Sequence, residues 1–303
     1  MLYNPYIMKK LGLLLIAIVL VLGMTFGLSA CNNATTEGQL ENIFFDYQGT
    51  GKEIYTYDVE NSSNGATGEY TIKIETKEKG LSVTICDDLS IPECVAGYLV
   101  TDELTMNDGY TSKATCFFAI AQVSGTTSSF LKPMASSKKV TGSENDFYSY
   151  GSYEGKKYYY TLTANGATKE GSIEVGTSKV YDNSEFHQVL RGIKDSIFEG
   201  GFTFAMTVPI VTATEETAVS ISANSSSSTT SIETNVKDIN GNKVSKDCYT
   251  VRLSRSTKVE GITQSFWYTK DPVKIDGFSL KHVLFKIEEA SVTYTLKSYA
   301  IEI

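Results

Sequence analysis

Histidine is nearly missing from this chain: 303 residues hold two, His187 and His282. A serine or cysteine nucleophile needs a base beside it, and these two offer little. His187 sits next to the apolar Phe186 on a predicted helix, and His282 opens a predicted strand, so both read as ordinary surface or part-buried side chains. No Gly-x-Ser-x-Gly elbow and no His-Glu-x-x-His pair occurs. Gly200-Gly201 follows the predicted helix instead of opening one, which excludes a phosphate-cradling loop there. The acid pairs Glu215-Glu216 and Glu288-Glu289 are adjacent, and neighbours on a strand point to opposite faces, so neither makes an acid–base couple. No Cys-x-x-Cys pair exists and both histidines lie far from the cysteines, which argues against zinc. There is no basic cluster, and the net charge is −8; phosphate contacts require Lys and Arg. The reading is a non-catalytic protein with no catalytic residue, no cofactor, no metal and no nucleic-acid partner.

What is present begins at the amino end. Lys9 and Lys10 are the first charges, followed by an apolar run from Leu11 to Leu22 and then Gly23 to Gly27. A positive end before a short apolar segment is the layout of a secretory signal. The run reaches Leu28-Ser29-Ala30-Cys31, which resembles the lipobox of bacterial lipoproteins. That resemblance implies cleavage between Ala30 and Cys31 and a diacylglycerol on the Cys31 thiol, with palmitate-type chains. A span of about 20 apolar residues would also cross a bilayer, but a plain membrane anchor has no use for Leu-Ser-Ala-Cys. Met8-Lys9-Lys10 is a more usual signal start than Met1-Leu2-Tyr3, so Met8 is a candidate initiator. One acyl chain holds a protein only marginally; the diacylated cysteine meets the need for two. The expected location is the cell membrane, lipid-anchored, on its periplasmic or extracellular side.

Cleavage removes Lys9 and Lys10 and takes the charge from −8 to −10. The expected organisation is a signal peptide over 1–30, a lipidated small-residue tether over 31–42, and one antiparallel β-rich domain over 43–303. Cys86, Cys94, Cys116 and Cys248 remain after cleavage. An extracytoplasmic compartment permits disulfides, four cysteines allow three pairings, and free thiols stay open too.

The domain reads in period two. Tyr55 to Val59, Tyr70 to Glu75, Tyr158 to Leu162, Thr217 to Ile221, Tyr249 to Leu253, His282 to Ile287 and Val292 to Leu296 alternate apolar with polar, which is strand material. Asn64-Gly65, Asn165-Gly166 and Asn240-Gly241 supply the positive-φ pairs of tight hairpins. One helix is predicted over about 184–199, capped by Asp182, Asn183 or Ser184, with Phe186, Val189, Leu190, Ile193 and Ile197 at helical spacing. It is expected to cover a curved sheet or partly open β-barrel. A second, short helix is expected near Ser128 to Ser137, and Ser225 to Ser231 reads as a solvated loop. Asn64-Gly65-Ala66-Thr67 and Asn165-Gly166-Ala167-Thr168 are identical, through duplication or through two hairpins using the same turn residues.

Val189-Leu190-Arg191, then Val244 to Val251 with Cys248-Tyr249, then Ser265 to Pro272 around Trp267, then Tyr294 to Tyr299 occur in an order that resembles a domain-of-unknown-function family of bacterial envelope proteins. Asp247 and Thr269 depart from its pattern. The resemblance implies a single antiparallel β domain and brings no activity. Trp267 stands between Phe266 and Tyr268, so the trio places core on one face and rim on the other. The tyrosines Tyr148, Tyr150, Tyr153, Tyr158, Tyr159 and Tyr160 suit an amphipathic surface. Two functions follow: binding of an apolar or lipid-like ligand in the hollow of the curved sheet, or a structural or protein-interaction role in the envelope without a small ligand.

Overall fold

Alternation builds nearly everything in the computed structural model, which describes residues 51–122, 129–176, 180–182, 186–255, 264–275 and 277–302. On β1 (Lys52–Asn61), Glu53, Tyr55, Tyr57 and Val59 are buried while Lys52, Thr56 and Asp58 face out. Alternation also marks β2 (Thr67–Lys77), β5 (Gly97–Met106), β8 (Phe147–Glu154) and β9 (Lys157–Ala164), while β6 (Thr111–Gln122) is buried on both faces from Ala114 to Ala119, β7 (Ser129–Thr141) is buried on both faces from Ala135 to Ser137, and β10 (Ala167–Glu174) is largely exposed. Beyond a helical segment come β11 (Phe202–Val211), β12 (Glu216–Lys237), β13 (Lys243–Arg255), β14 (Gln264–Thr269), β17 (Leu284–Glu289) and β18 (Val292–Glu302). These form one 14-stranded antiparallel sheet in the order β10-β9-β8-β7-β6-β5-β2-β1-β18-β17-β14-β13-β12-β11. Two small hairpins, β3 (Val83–Cys86) with β4 (Leu89–Ile91) and β15 (Val273–Ile275) with β16 (Phe278–Leu280), stand outside it.

The fold is therefore mainly β, one large sheet nearly closed into a barrel. Its two ends, strands β8–β10 on one side and β11–β12 on the other, meet through side chains instead of a ladder. Ser149 Oγ donates to the Val211 carbonyl at 3.3 Å, and Tyr160 and Lys169 both donate to Glu216. Val211 also joins Val140, Phe147, Tyr158, Leu162 and Ile173 in an apolar cluster. The free edge of β11 takes a parallel bridge from Val180 to Thr207. Pro209 lies on this edge strand, where its missing N–H disturbs no inner ladder. Charged side chains cover the outside: Lys297 on β18 bridges Asp58 at 3.1 Å and Glu69 at 3.0 Å. That is the reverse of a membrane-spanning barrel, whose outward face is apolar. Among the described residues, no helix is long and apolar enough to cross a membrane.

The three Asn-Gly pairs all fall between paired strands, but only Asn165-Gly166 is a positive-φ pair; at Asn64-Gly65 and Asn240-Gly241 the glycine alone is left-handed. Asn165 (φ 52°) and Gly166 (φ 75°) both lie in the left-handed region between β9 and β10, as a two-residue hairpin turn demands. Three expectations are corrected. The short helix near Ser137 is instead β7: Pro133 pairs Phe118 and Ala135 pairs Phe117, so Met134 is an extra residue in a bulge, a place where a strand tolerates proline. Ser225 to Ser231 is not a loop but the middle of β12: Ser225 pairs with both β11 and β13, Ser226 to Ser228 fall in a register slip, and Thr229 to Ser231 pair with β13 alone. His282 does not open a strand; it sits at φ 48° two residues before β17, in a buried turn.

The covering helix is also shorter than predicted. Helical turns run over Phe186–Val189 (α1) and Asp195–Gly200 (α2), with a 3-10 turn at Leu190–Gly192 between them. Ile193 breaks the run with an extended backbone (φ −70°, ψ 132°). The cap candidates Asn183 and Ser184 lie outside the described residues.

Candidate functional site

Beneath the α1–α2 segment, where a ligand hollow was expected, the barrel is filled. Val189, Leu190, Ile193 and Phe198 are at most 3% exposed. The Phe198 ring lies 5.3 Å from Phe202, 5.2 Å from Tyr249, 5.9 Å from Tyr268 and 4.4 Å from His282. Among the described residues, these rings pack at close-packed distances and occupy the space beneath the segment. The buried turn Leu190–Ile193 and the Phe198 ring plug the space beneath, while Asp195, Ser196, Glu199 and Gly200 stay exposed, so α2 covers the barrel from outside as expected.

At the centre of this plug is a buried charge. Arg191 Nη1 donates to Glu53 Oε2 at 3.0 Å and to Gln188 Oε1 at 3.2 Å, and Arg191 Nη2 donates to the Tyr55 hydroxyl at 3.4 Å. Tyr55 in turn donates to Glu53 Oε2 at 2.5 Å, and its ring lies 5.3 Å from the guanidinium carbon. All four residues are at most 2% exposed. Burial works against the Arg191 charge, but Tyr55 and Glu53 outweigh it and hold the guanidinium pKa above its ordinary value. Burial likewise keeps Tyr55 and Tyr57 in the phenol form, well above the usual range. The cluster holds α1 to β1; sealed from solvent, it has no route for a substrate. Glu53 carried a readable signal, a carboxylate on the inward positions of Glu53-x-Tyr55-x-Tyr57-x-Val59, and Arg191 was among the residues carrying the family resemblance.

His282 fastens the other end. Its Nδ1 is 3.1 Å from the Arg191 carbonyl and its Nε2 is 3.0 Å from Asp195 Oδ1. Both partners accept, so only the imidazolium satisfies both, whereas burial pulls the pKa below its ordinary value. This is a structural contact, with no nucleophile placed against the ring.

A second polar group lies inside the barrel wall. Asp102 is on an inward position of β5, and burial pushes its pKa up to about 7, against the pull of Lys138 and a hydrogen bond with Tyr70. Tyr153 donates to the buried Asp182 at 2.6 Å. A crevice of about 20 Å³ beside Asp182, Ser136 and Ser149 is large enough for a single water. The folded state holds the Asp102 proton up to about pH 7, while an unfolded Asp releases it near pH 3.9. Between those values the folded state binds more protons, so this group lowers stability as pH rises. Asp102→Asn is therefore expected to stabilise the fold more at about pH 8 than at about pH 5 in urea titrations. An equal gain at both would remove ionisation as the cause.

A sizeable concavity lies on the outer face. The β3–β4 hairpin folds over the outer face of β5–β8, on an apolar footing of Val83, Ile85, Cys94, Phe117 and Ala135. Cys94 Sγ lies 3.1 Å from the Glu78 carbonyl, and Ser137 Oγ donates to the Ile85 carbonyl at 3.3 Å. Tyr148 donates to Asp88 at 3.1 Å. A groove of about 540 Å³ remains between hairpin and sheet. Its floor is set by register. Thr101 pairs Thr115, Thr115 pairs Ser137 and Ser137 pairs Tyr150, giving one hydroxyl-bearing row across four strands. The next row is Glu103, Lys113, Lys139 and Tyr148. Burial and the contacts with Cys86 and Asp88 raise the Tyr148 pKa, so it stays a neutral phenol.

The other predicted features separate. Tyr153, Tyr158 and Tyr160 turn inward while Tyr148, Tyr150 and Tyr159 turn outward. Phe266 and Tyr268 are core and Trp267 is rim, with Lys286 Nζ 5.1 Å over its ring. Glu215 pairs Arg255 and Glu216 pairs Lys169, so that acid pair is divided between two partners. Thr269 is fully buried, and its Oγ1 accepts from the Val283 amide at 3.0 Å. Cys86, Cys94, Cys116 and Cys248 are thiols, and burial pushes the Cys248 pKa up to about 12, keeping it inert. Among the described residues, no group of His, Cys, Asp and Glu is placed to hold a metal. The proposed cleavage residue Ala30, the lipidation residue Cys31 and the side chain of His187 lie outside the described residues.

Fold and groove together define the class as a mainly antiparallel, barrel-like β protein. No family model and no curated protein matches the sequence. Among solved structures the chain is similar to a beta-barrel-like protein of domain of unknown function DUF1849 from Brucella abortus. The TM-score is 0.45 at 11% identity, over 84% of this chain and 98% of that one.

Proposed function

We propose that this chain is an envelope lipoprotein, cleaved before Cys31 and anchored by lipid on that residue, whose barrel is a non-catalytic binding module. Support for the anchor is the charged end, apolar run and Leu28-Ser29-Ala30-Cys31 sequence. The observation that carries the binding role is the groove of about 540 Å³ under the β3–β4 hairpin, which falls within the size range of small-ligand sites. The packing of Phe198 against Phe202, Tyr249 and Tyr268 favours this outer face over the hollow as the site and speaks against an acyl-chain cargo within the barrel. A purely structural role in the envelope draws on the exposed Tyr159 and the outward Tyr148 and Tyr150.

Native mass spectrometry of the full chain, released from detergent after gentle purification, tests the groove. A co-purifying small molecule is expected, lost on denaturation and lost in Thr101→Arg, which drives a long side chain into the floor. A clean mass for the unmodified chain, unchanged after incubation with envelope extract, would turn the reading toward the structural role.

A further inference from the structure

The groove's chemistry narrows its ligand. Its charges cancel in sign: Asp87 and Asp88 on the hairpin side, Lys113 and Lys139 on the sheet side. Lys113 is moreover already engaged by Glu103 at 2.6 Å. A balanced set gives no net field to select an anion or a cation. What is in excess is hydroxyl: Thr84, Thr101, Thr115, Ser137 and Tyr148 all line the groove. A hydroxyl both donates and accepts, so a row of them matches a ligand that also does both at every position. Thr101 Oγ1 and Thr115 Oγ1 hydrogen-bond one another at 3.4 Å, a long bond that a ligand hydroxyl can replace.

Beside this row stand aromatic faces. Tyr148 and Tyr150 are successive outward residues of β8, with ring centroids 5.4 Å apart and planes tilted 42°. Tyrosine rings offer an apolar face with a polar tip, which suits a ligand whose flat sides are C–H and whose rim is hydroxyl. The four-strand row from Thr101 to Tyr150 spans about 14 Å at ordinary strand spacing, an elongated track more than a point site. We infer that the groove under the β3–β4 hairpin binds a neutral saccharide chain, its hydroxyls met by the Thr101–Thr115–Ser137 row and a sugar face by the groove-lining Tyr148, with Tyr150 beside it at the end of the row. This rests on the groove being the binding site.

The test is isothermal titration of the full chain, held in a zwitterionic detergent free of sugar headgroups, with maltotriose and with the trimer of N-acetylglucosamine. Binding of one or both is expected, weakened about tenfold in Tyr148→Ala and unchanged in Tyr159→Ala, which removes an exposed ring that does not line the groove. Tyr148→Phe serves if the alanine variant melts early: it keeps the ring, loses the bond to Asp88, and should retain binding within a few-fold. Titration of inorganic phosphate and of spermidine runs in parallel. Binding of either charged probe in the groove, with no response to the trisaccharides, would overturn the saccharide assignment and leave the groove standing. Silence from all probes, together with a clean native mass, would overturn both.

Discussion

Arg191→Ala is expected to be among the most damaging single substitutions in the barrel. Arg191 and Glu53 are 1% and 0% exposed and 3.0 Å apart. Removing the guanidinium leaves the Glu53 carboxylate sealed in the core with only the Tyr55 hydroxyl to answer it. Breaking a buried pair from one side costs about 3–5 kcal/mol, on the order of 10 °C in melting temperature for a domain of this size. Arg191→Lys should recover little, because one ammonium cannot reach Glu53, Gln188 and Tyr55 together. Glu53→Leu combined with Arg191→Met should recover most of the loss, since an apolar pair of similar volume needs no counter-charge. Because the cluster joins α1 to β1, the single variant should also expose the α1–α2 segment to protease before the rest of the barrel. Thermal denaturation and limited proteolysis read both effects. A loss below about 1 kcal/mol would mean that the pair does not hold the plug.

Cys31→Ser is expected to abolish fatty-acid incorporation altogether. On the proposed anchoring the Cys31 thiol takes the diacylglycerol, and a serine hydroxyl is a far weaker nucleophile at neutral pH. Each buried methylene contributes about 0.8 kcal/mol to membrane binding, so losing two chains removes the anchor outright. The readout is incorporation of an alkyne-tagged fatty acid, because an uncleaved apolar run from Leu11 to Leu22 can itself keep the variant in the membrane fraction. Persistent label in Cys31→Ser would place acylation on another residue.

Local signals were legible and non-local ones were not. Alternation on β1 and β9 and the Asn165-Gly166 turn can be read within a dozen residues, because side-chain direction and positive φ are properties of the local backbone. The serine run was misread because a strand's identity comes from its partners. Ser225 pairs with Phe202 on β11 and Val251 on β13, and composition cannot express that. The predicted helix over 184–199 had the right apolar positions, yet Ile193 is extended, and the spacing of Val189, Leu190, Ile193 and Ile197 tolerates that break unseen. The Arg191–Glu53 pair spans 138 residues of chain; only half of it was readable, as a charge on an apolar face. The groove needs β5 to β8 in register and a hairpin folded back over them, so none of its rows exists in any single segment.

Anchoring at Cys31 is the central claim, and the mass of the amino-terminal peptide tests it most directly. Protein extracted from host membranes with detergent would be digested with protease and its first peptide weighed and fragmented. The expected result is a peptide beginning at Cys31, carrying a diacylglyceryl mass on its sulfur, with nothing before it. A peptide that runs through Ala30 into an unmodified Cys31 would contradict the account.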